Sequence, residues 1–126
     1  MRLEHINLTV SDLDRACAFY TQLFDLELQW EGTVSSCSKN GRTKHLAKEG
    51  CYLALFETPQ QDKAPVDYVR AGFNHFGIVV DDLDEIETRL RKLGTNPLPG
   101  AEYEPGRRLY AFDPDGIEIE FVEYAT

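Results

Sequence analysis

The sequence predicts an α+β fold in which two tandem βαβββ modules form a curved, cleft-bearing mixed sheet. Three observations carry this prediction. A strand followed by a helix occurs twice, the two copies align without a gap from position 5 to position 75, and the strands that end the two halves also align. At 126 residues the chain suits one compact domain. We therefore predict a single domain, residues 1–126, with modules at about 1–57 and 73–126 and a linker at 58–72.

The first module opens with a strand and a helix. Residues 3–10 (LEHINLTV) are rich in β-forming side chains. Ser11, followed by Asp12 and Asp14, predicts a helix start, because an N-cap hydroxyl and early carboxylates complement the free N–H groups there. The apolar positions that follow recur at helical spacing and predict one buried face: Leu13, Ala16, Cys17, Tyr20 and Phe24. We therefore expect Cys17 to be a buried, inert thiol.

The second module repeats this pattern. Residues 73–80 (FNHFGIVV) predict a strand, residues 81–84 (DDLD) predict a helix start, and Gly94 predicts the helix C-cap. The apolar face of this helix consists of Leu83, Ile86, Leu90 and Leu93. Sliding the first half by 70 residues places His5 on His75, so two of the three histidines of the chain coincide.

Three more strands complete each module. We predict them at about 26–31, 43–47 and 52–57 in the first half, and at about 97–101, 108–112 and 118–123 in the second. The final strands align at an offset of 66 residues, and the difference of four from the first offset is a loop-sized deletion. Each half therefore has the order β-α-β-β-β. The alternative is that two strand–helix units look alike by chance.

Charge and cysteine usage restrict the partners and the compartment. The chain has 22 acidic and 13 basic residues and a formal net charge of −9, so its surface repels nucleic acid and anionic membranes. No apolar run approaches the roughly 18 residues of a membrane span, and no signal peptide opens the chain. The three cysteines lack the CxxC spacing of a structural zinc site. We expect a cytoplasmic protein with no nucleic-acid and no membrane partner.

His5, His75 and Glu120 are the predicted ligands of one divalent metal. Side chains two apart share a face of a strand, and pseudo-twofold symmetry places the equivalent His5 and His75 across a shared cleft. Glu120 lies on the final strand among large apolar residues, where a carboxylate needs a partner. Two imidazoles and a carboxylate suit zinc, iron, manganese, nickel or cobalt and leave open positions for substrate or water. The alternative is that both histidines are structural and Glu120 is an exposed strand residue.

The same symmetry predicts three protein ligands and not four. The repeat partner of Glu120 is Ala54, which cannot bind metal. Glu57 is close in sequence, but three residues away it faces the opposite side of the strand unless a β-bulge turns it inward.

Weaker candidates surround this predicted centre. Tyr110 is a candidate for a hydrogen bond to a metal-bound oxygen, and Arg107 and Arg108 are candidates for receiving an anionic substrate. Asn7 shares the predicted ligand face of its strand with His5. His45 has an uncertain register and is predicted not to be a ligand. Trp30 and Phe56 are candidates either for a pocket lining or for the core.

These residues resemble the vicinal oxygen chelate superfamily, which includes glyoxalase I, fosfomycin-resistance transferases, extradiol dioxygenases and bleomycin-resistance proteins. The resemblance covers nearly the whole chain and is carried by LEHINLTVSDLDRACAFYTQLF, NHFGIVVDDLD and YAFDPDGIEIEFVE. In the last segment, an Asp-Pro-Asp-Gly turn sets the register of the metal carboxylate, here Glu120. The resemblance implies a divalent metal chelated by vicinal oxygens of a small-molecule substrate, and it implies a homodimer.

The sequence also departs from each member of this superfamily. Glyoxalase I usually has a fourth ligand, Glu or Gln, at the position of Ala54. Extradiol dioxygenases carry an upstream histidine where residues 101–103 (AEY) stand here. Fosfomycin transferases resemble the three-ligand arrangement and match Tyr110, but their threonine two residues after the first histidine is Asn7 here. Lyase or isomerase chemistry, thiol transfer and dioxygenase chemistry therefore all stay open.

Two hypotheses follow from different classes of protein. The first is a metalloenzyme that uses zinc, nickel, manganese or iron to polarise vicinal oxygens, with Glu120 and Tyr110 catalytic and with Asn7, Tyr110 and Arg108 contacting substrate. The second is a metal-free protein that sequesters a ligand, as bleomycin-resistance proteins do. The metal ligands favour the enzyme. The sequence leaves open whether His5 and His75 meet within one chain or across a dimer.

Overall fold

The computed structural model of the chain describes residues 1–36, 39–59, 66–100 and 106–125. The chain divides into two compact units, Met1–Asp62 and Lys63–Thr126. Each unit contains one helix and one four-stranded sheet with both parallel and antiparallel neighbours. This architecture confirms the predicted α+β fold of two βαβββ modules.

Unit 1 contains the first module. Its elements are β1 (His5–Val10), α1 (Leu13–Phe24), β2 (Glu27–Ser36), β3 (Lys39–Lys48) and β4 (Cys51–Glu57). The strand order is β1-β4-β3-β2. β1 runs parallel to β4, and the other neighbours are antiparallel. The β2–β3 hairpin is longer than the sequence predicted, because its strands extend to the turn between them.

Unit 2 contains the second module in the same arrangement. Its elements are β5 (His75–Val79), α2 (Leu83–Lys92), β6 (Leu98–Pro99), β7 (Gly106–Phe112) and β8 (Glu118–Tyr124), in the order β5-β8-β7-β6. β6 is shorter than predicted, and the predicted end of this strand at position 101 lies outside the described residues. The predicted linker, residues 58–72, also lies partly outside them.

The strand register supports the alignment of the two halves. His5 lies opposite Tyr52 in the parallel β1–β4 pair, and His75 lies opposite Glu118 in the parallel β5–β8 pair. The same registers place Asn7 opposite Ala54 and Gly77 opposite Glu120. The offsets of 70 and 66 residues therefore describe structural equivalence.

Each sheet buries one face against its own helix. In β1 the side chains of Leu8 and Val10 are buried, whereas those of His5, Asn7 and Thr9 alternate with them and are exposed. The core residues on the helix side include Leu13, Tyr20, Leu23, Leu46 and Leu55 in unit 1 and Phe76, Leu83, Leu90, Ile119 and Phe121 in unit 2. We call the other side of each sheet its helix-distal face. It carries every predicted metal ligand.

The first helix begins one residue later than the sequence suggested. Asp12, not Ser11, is the N-cap: its Oδ1 accepts a hydrogen bond from the Arg15 N–H at 3.1 Å. A carboxylate competes successfully with a hydroxyl here because it also complements the positive end of the helix dipole. Cys17 is only half-buried, because Phe19 and Leu23 occupy the buried side in its place.

The second helix follows the sequence prediction more closely. Asp82 is its N-cap and accepts from the Glu85 N–H at 3.1 Å. Gly94 follows the C-cap with a φ of +80°, which is the left-handed conformation that glycine adopts without strain. In the described part of the chain, neither helix is long and apolar enough to cross a membrane.

Candidate functional site

Glu120 is the centre of a polar cluster on the helix-distal face of unit 2. Its side chain is 14% exposed and lies between three partners. The Tyr110 hydroxyl donates a hydrogen bond to Oε1 at 3.0 Å, and Arg108 Nε forms an ion pair with the same oxygen at 3.0 Å. His75 Nε2 lies 3.2 Å from Oε2. One carboxylate oxygen therefore faces Tyr110 and Arg108, and the other faces the imidazole.

The turn before β8 sets this geometry. Asp113 is buried, and its Oδ1 accepts hydrogen bonds from the N–H groups of Asp115 at 2.8 Å and Ile117 at 2.9 Å. Gly116 has a φ of +82°, so the Asp-Pro-Asp-Gly turn needs glycine at that position. The turn leads into a register in which Tyr110 lies directly opposite Glu120.

The His75 ring is held on its other nitrogen. Asn74 Oδ1 lies 2.6 Å from Nδ1, and the Tyr68 hydroxyl lies 3.3 Å from it. Because the amide oxygen is an acceptor, the proton of the neutral ring belongs on Nδ1 and the lone pair on Nε2. Metal-binding histidines usually donate their second nitrogen in this way. The donor nitrogen is thereby directed toward Glu120.

The donor atoms of His75 and Glu120 fit a divalent metal. Two ligands that each lie about 2.1 Å from one ion are separated by roughly 3.0–3.4 Å in octahedral or tetrahedral geometry. The separation of 3.2 Å between Nε2 and Oε2 falls in this range. A hydrogen bond joins the two atoms here, and a divalent ion would take the place of its proton. Within each unit, however, the described residues bring together no three potential ligand side chains.

His5, the third predicted ligand, belongs to unit 1 and has a matching environment. Glu4 Oε1 lies 2.9 Å from its Nδ1, and the Tyr52 ring stacks on the imidazole at a centroid distance of 4.6 Å. A carboxylate only accepts hydrogen bonds, so Nδ1 carries the proton and Nε2 keeps its lone pair. Both predicted histidine ligands therefore present Nε2 and are held through Nδ1 by the residue that precedes them. The convergence of His5 with the other two ligands stays a prediction.

His45 is where the sequence interpretation needs correction. It was placed outside the repeat, but it lies opposite Ala54 just as Tyr110 lies opposite Glu120, so it is the unit 1 equivalent of Tyr110. Its ring stacks on Tyr52 at 4.7 Å and contacts Trp30 at 4.9 Å. Burial, and to a smaller extent the nearby His5, lowers the pKa of His45. The sequence did not show this register because β3 has no clear alternation.

The remaining predicted residues divide between the two faces. Asn7 is exposed two residues from His5, and Trp30 is 47% exposed, both on the helix-distal face. Phe56 is half-buried on that face. Arg107 lies on the helix side, where its Nη2 donates to Asp84 at 3.3 Å and its Nη1 lies 3.9 Å from Glu123. The structure therefore does not bring Arg107 to the cluster around Glu120.

Glu57 does not join the ligand set in unit 1. Its Oε2 accepts a hydrogen bond from the Leu13 N–H at 2.8 Å and one from Arg42 at 3.0 Å, so the side chain lies on the helix side. These hydrogen bonds lower the pKa of Glu57, with the Arg42 bond as the largest cause. Ala54 is buried at the position equivalent to Glu120. Both observations agree with a three-ligand set.

Two residues of the cluster escaped the sequence interpretation. Glu118 is buried, 8% exposed, and accepts a hydrogen bond from the Tyr68 hydroxyl at 2.6 Å. This bond raises the pKa of Tyr68 to about 12. Glu118 shares the face of Glu120, so strand periodicity was a usable signal for it. Tyr68 comes from the predicted linker, where no periodicity exists, and only the folded chain brings it to His75.

Comparison with known proteins shows the family. The chain belongs to the Glyoxalase/Bleomycin resistance protein/Dioxygenase superfamily, whose model matches residues 2–121. The match covers both modules and includes all three predicted metal ligands.

Two enzymes and one solved structure illustrate the range of relatives. A metallothiol transferase FosB of Shouchella clausii is 28% identical over 94% of this chain and 77% of its own length. A lactoylglutathione lyase of Salmonella typhimurium is 29% identical over 98% of this chain and 93% of its own. The crystal structure of a glyoxylase/bleomycin resistance protein/dioxygenase domain from Frankia sp. EAN1pec has a TM-score of 0.83 and 28% identity, over 99% of this chain and 93% of that one.

Proposed function

We propose that this protein is a metal-dependent enzyme of the superfamily in which His5, His75 and Glu120 hold one divalent ion. When bound, such an ion supplies Lewis acidity that polarises vicinal oxygens of a small substrate. Zinc, nickel, manganese and iron all accept this donor set. The names of the relatives, metallothiol transferase and lactoylglutathione lyase, support an enzyme over a binding protein.

One observation carries the proposal. Each predicted ligand has one coordinating atom directed away from a hydrogen-bonding partner that holds the rest of the group. Glu4 and Asn74 hold the Nδ1 atoms of His5 and His75, which leaves both Nε2 atoms as donors. Arg108 and Tyr110 hold Oε1 of Glu120, and Oε2 points to His75. A set of merely structural histidines has no reason to share this arrangement.

Further side chains of the cluster are assigned to substrate. Tyr110 donates a hydrogen bond near the donor atoms, so its hydroxyl is placed to contact a substrate oxygen and to act with Glu120 in proton transfer. Arg108 is 11% exposed and supplies positive charge for an anionic group. Asn7 is an exposed amide on the ligand face of β1. Thiol transfer and lyase chemistry are the two reaction classes that the relatives favour over dioxygenase chemistry.

Metal content is the direct test. Protein purified without chelator or affinity tag is measured by elemental mass spectrometry, beside His5→Ala, His75→Ala and Glu120→Ala. We expect near-stoichiometric metal in the wild type and its loss in all three variants. His45→Ala is the matched control, because it removes the third histidine of the chain and should keep the stoichiometry. Wild-type protein that neither contains nor takes up metal, yet binds ligand tightly, would establish the sequestering alternative.

The same variants test whether the site is shared in a homodimer. His5→Ala and Glu120→Ala chains are mixed, unfolded and refolded together. If His5 of one chain meets His75 and Glu120 of another, mixed dimers regain one intact site of two, and the mixture binds about one quarter of the wild-type metal. If the site forms within one chain, the mixture binds none.

The metal-loaded protein is then assayed with one substrate pair for each favoured reaction. Fosfomycin with a thiol tests thiol transfer, and the adduct of methylglyoxal with glutathione tests the lyase. Because Ala54 stands where a fourth ligand is usual in glyoxalase I, we expect the lyase rate to be the lower of the two. Turnover of neither pair would leave the metal site in place and direct the search to other vicinal-oxygen substrates.

A further inference from the structure

Four aromatic rings form a continuous row across the helix-distal face of unit 1. They come from neighbouring strands in the order β1, β4, β3 and β2: His5, Tyr52, His45 and Trp30. The successive centroid distances are 4.6, 4.7 and 4.9 Å. His5 is the end of this row, and its ring is nearly parallel to that of Tyr52, with an interplanar angle of 11°.

The His5 side chain is 42% exposed, so the surrounding solvent does not fix its orientation. Two contacts do. Stacking on Tyr52 fixes the plane of the imidazole, and the bond from Nδ1 to Glu4 Oε1 fixes the rotation within that plane and the tautomer. The Tyr52 hydroxyl lies 3.5 Å from the same Glu4 oxygen. Tyr52 is itself braced on its other side by His45.

We infer that Glu4 and Tyr52 are positioning residues that preorganise His5 for metal binding. This inference rests on the proposed function. His75, by contrast, is positioned by Asn74 and by its contact with Glu120, and its repeat neighbour Glu118 stands where Tyr52 stands in unit 1. The two histidines therefore have different supports for the same task. Losing the support of His5 lowers metal affinity and leaves the ligand set complete.

The test measures metal affinity and the state of the ring separately. Affinity for Zn²⁺ and Mn²⁺ is determined by competition with a chromophoric chelator. The tautomer of His5 in the metal-free protein is read from its ¹⁵N chemical shifts. We expect Glu4→Leu to weaken affinity by about 10–100-fold, the range for residues that orient a ligand, and to shift the ring away from the Nδ1–H tautomer. Tyr52→Leu should weaken affinity by about tenfold.

Conservative variants keep the test independent of folding. Tyr52→Phe retains the stacked ring and loses only the long hydroxyl contact, so its affinity should stay within about twofold of the wild type. Glu4→Gln retains an acceptor oxygen and should keep the Nδ1–H tautomer with an intermediate affinity. Thermal unfolding of each variant shows that the fold is intact.

The outcomes separate this inference from the proposed function. If His5→Ala abolishes metal binding but Glu4→Leu and Tyr52→Leu bind as the wild type does, the inference is wrong and the metal centre stands. If His5→Ala binds metal normally, the ligand set itself is wrong. If Tyr52→Phe loses as much affinity as Tyr52→Leu, the stacking is not the cause, and the positioning role of the ring is overturned.

Discussion

The helix-distal faces of the two units occupy equivalent strands but have opposite chemistry. In unit 2 the central positions hold Glu120, Tyr110 and Arg108, and they form a charged, hydrogen-bonded cluster around one carboxylate. In unit 1 the equivalent positions hold Ala54, His45 and Thr43, and the contacts there are between aromatic rings. Only the histidine at the start of the first strand is common to both. The comparison indicates that duplication supplied two copies of a ligand and divergence supplied the rest of the site.

The helix sides, in contrast, stayed alike. In both units a glutamate of the last strand accepts a hydrogen bond from the first N–H of the helix: Glu57 from Leu13 at 2.8 Å and Glu123 from Leu83 at 2.7 Å. An arginine of the preceding strand contacts each glutamate, Arg42 in unit 1 and Arg107 in unit 2. This contact ties the helix to the sheet in each module. The fold therefore constrains one face, and function is free to change the other.

The largest effect is expected from Glu120→Ala. It removes a metal donor and leaves the nearly buried Arg108 guanidinium without its carboxylate, so metal affinity should fall by at least about 100-fold and stability by about 3–5 kcal/mol. Urea unfolding and metal titration measure the two losses. Adding Arg108→Met should recover most of the stability and none of the metal binding. If the single variant is as stable as the wild type, the ion pair does not hold the cluster together.

Ala54→Glu tests whether unit 1 accepts the chemistry of unit 2. Position 54 is 2% exposed and lies beside His45 and near Thr43, which supply neither the hydroxyl nor the guanidinium that Glu120 has. We expect a loss of about 2–4 kcal/mol in metal-free protein, because a buried carboxylate lacks its partners. Thr43→Arg in the same chain should recover part of this loss. A stable single variant would mean that the helix-distal face of unit 1 is wetter than its burial indicates.

Glu57→Ala and Glu123→Ala test the likeness of the helix sides. Each removes an acceptor at a helix start and should cost about 1–2 kcal/mol at neutral pH, with similar values in the two units. Unequal losses, measured by thermal unfolding, would show that the duplicated contact is not duplicated in energy.

The contribution of Glu57 also depends on pH with a definite sign. Arg42 and the Leu13 N–H lower the pKa of Glu57 in the folded protein below its ordinary value of 4.5. The charged contact therefore stabilises the fold above that value and is lost as the pH falls through the lower, folded pKa. The stability difference between wild type and Glu57→Gln should be constant at neutral pH and should vanish in acid. A difference that persists in acid would assign the effect to packing.

The smallest effect is expected from Gly77→Ala. An added Cβ would lie 3.7 Å from Glu120 Oε2, an ordinary contact, so metal affinity should change by less than about threefold. Stability should rise by about 0.5 kcal/mol, because alanine loses less conformational freedom than glycine in a strand. Gly77→Asn, which copies Asn7 of unit 1, is the contrasting variant and should weaken metal binding by crowding Oε2. Equal affinities of the two variants would place Glu120 farther from Gly77.

Local pattern in the sequence determined much of this protein. The duplication, both helices, the faces of the first and last strands, and the likely ligand positions His5, His75 and Glu120 all follow from periodicities of two and 3.6 residues, which depend only on backbone geometry. The superfamily also followed, because its motifs lie in those same elements. Errors at this level were small: the N-cap at Asp12, the half-exposed Cys17 and the lengths of β2, β3 and β6.

Only the tertiary structure decided which side chains meet. The register of β3 and β7 brings His45 and Tyr110 to equivalent positions, and Tyr68 reaches Glu118 from a segment 50 residues away. The division of Glu120 into one oxygen held by Arg108 and Tyr110 and another directed at His75 is likewise a cross-strand property. Such contacts depend on strand pairing between distant segments and on side-chain rotamers fixed by packing. Neither leaves a periodic signal along the chain, so the sequence predicts the ligands and the fold supplies the residues that hold them.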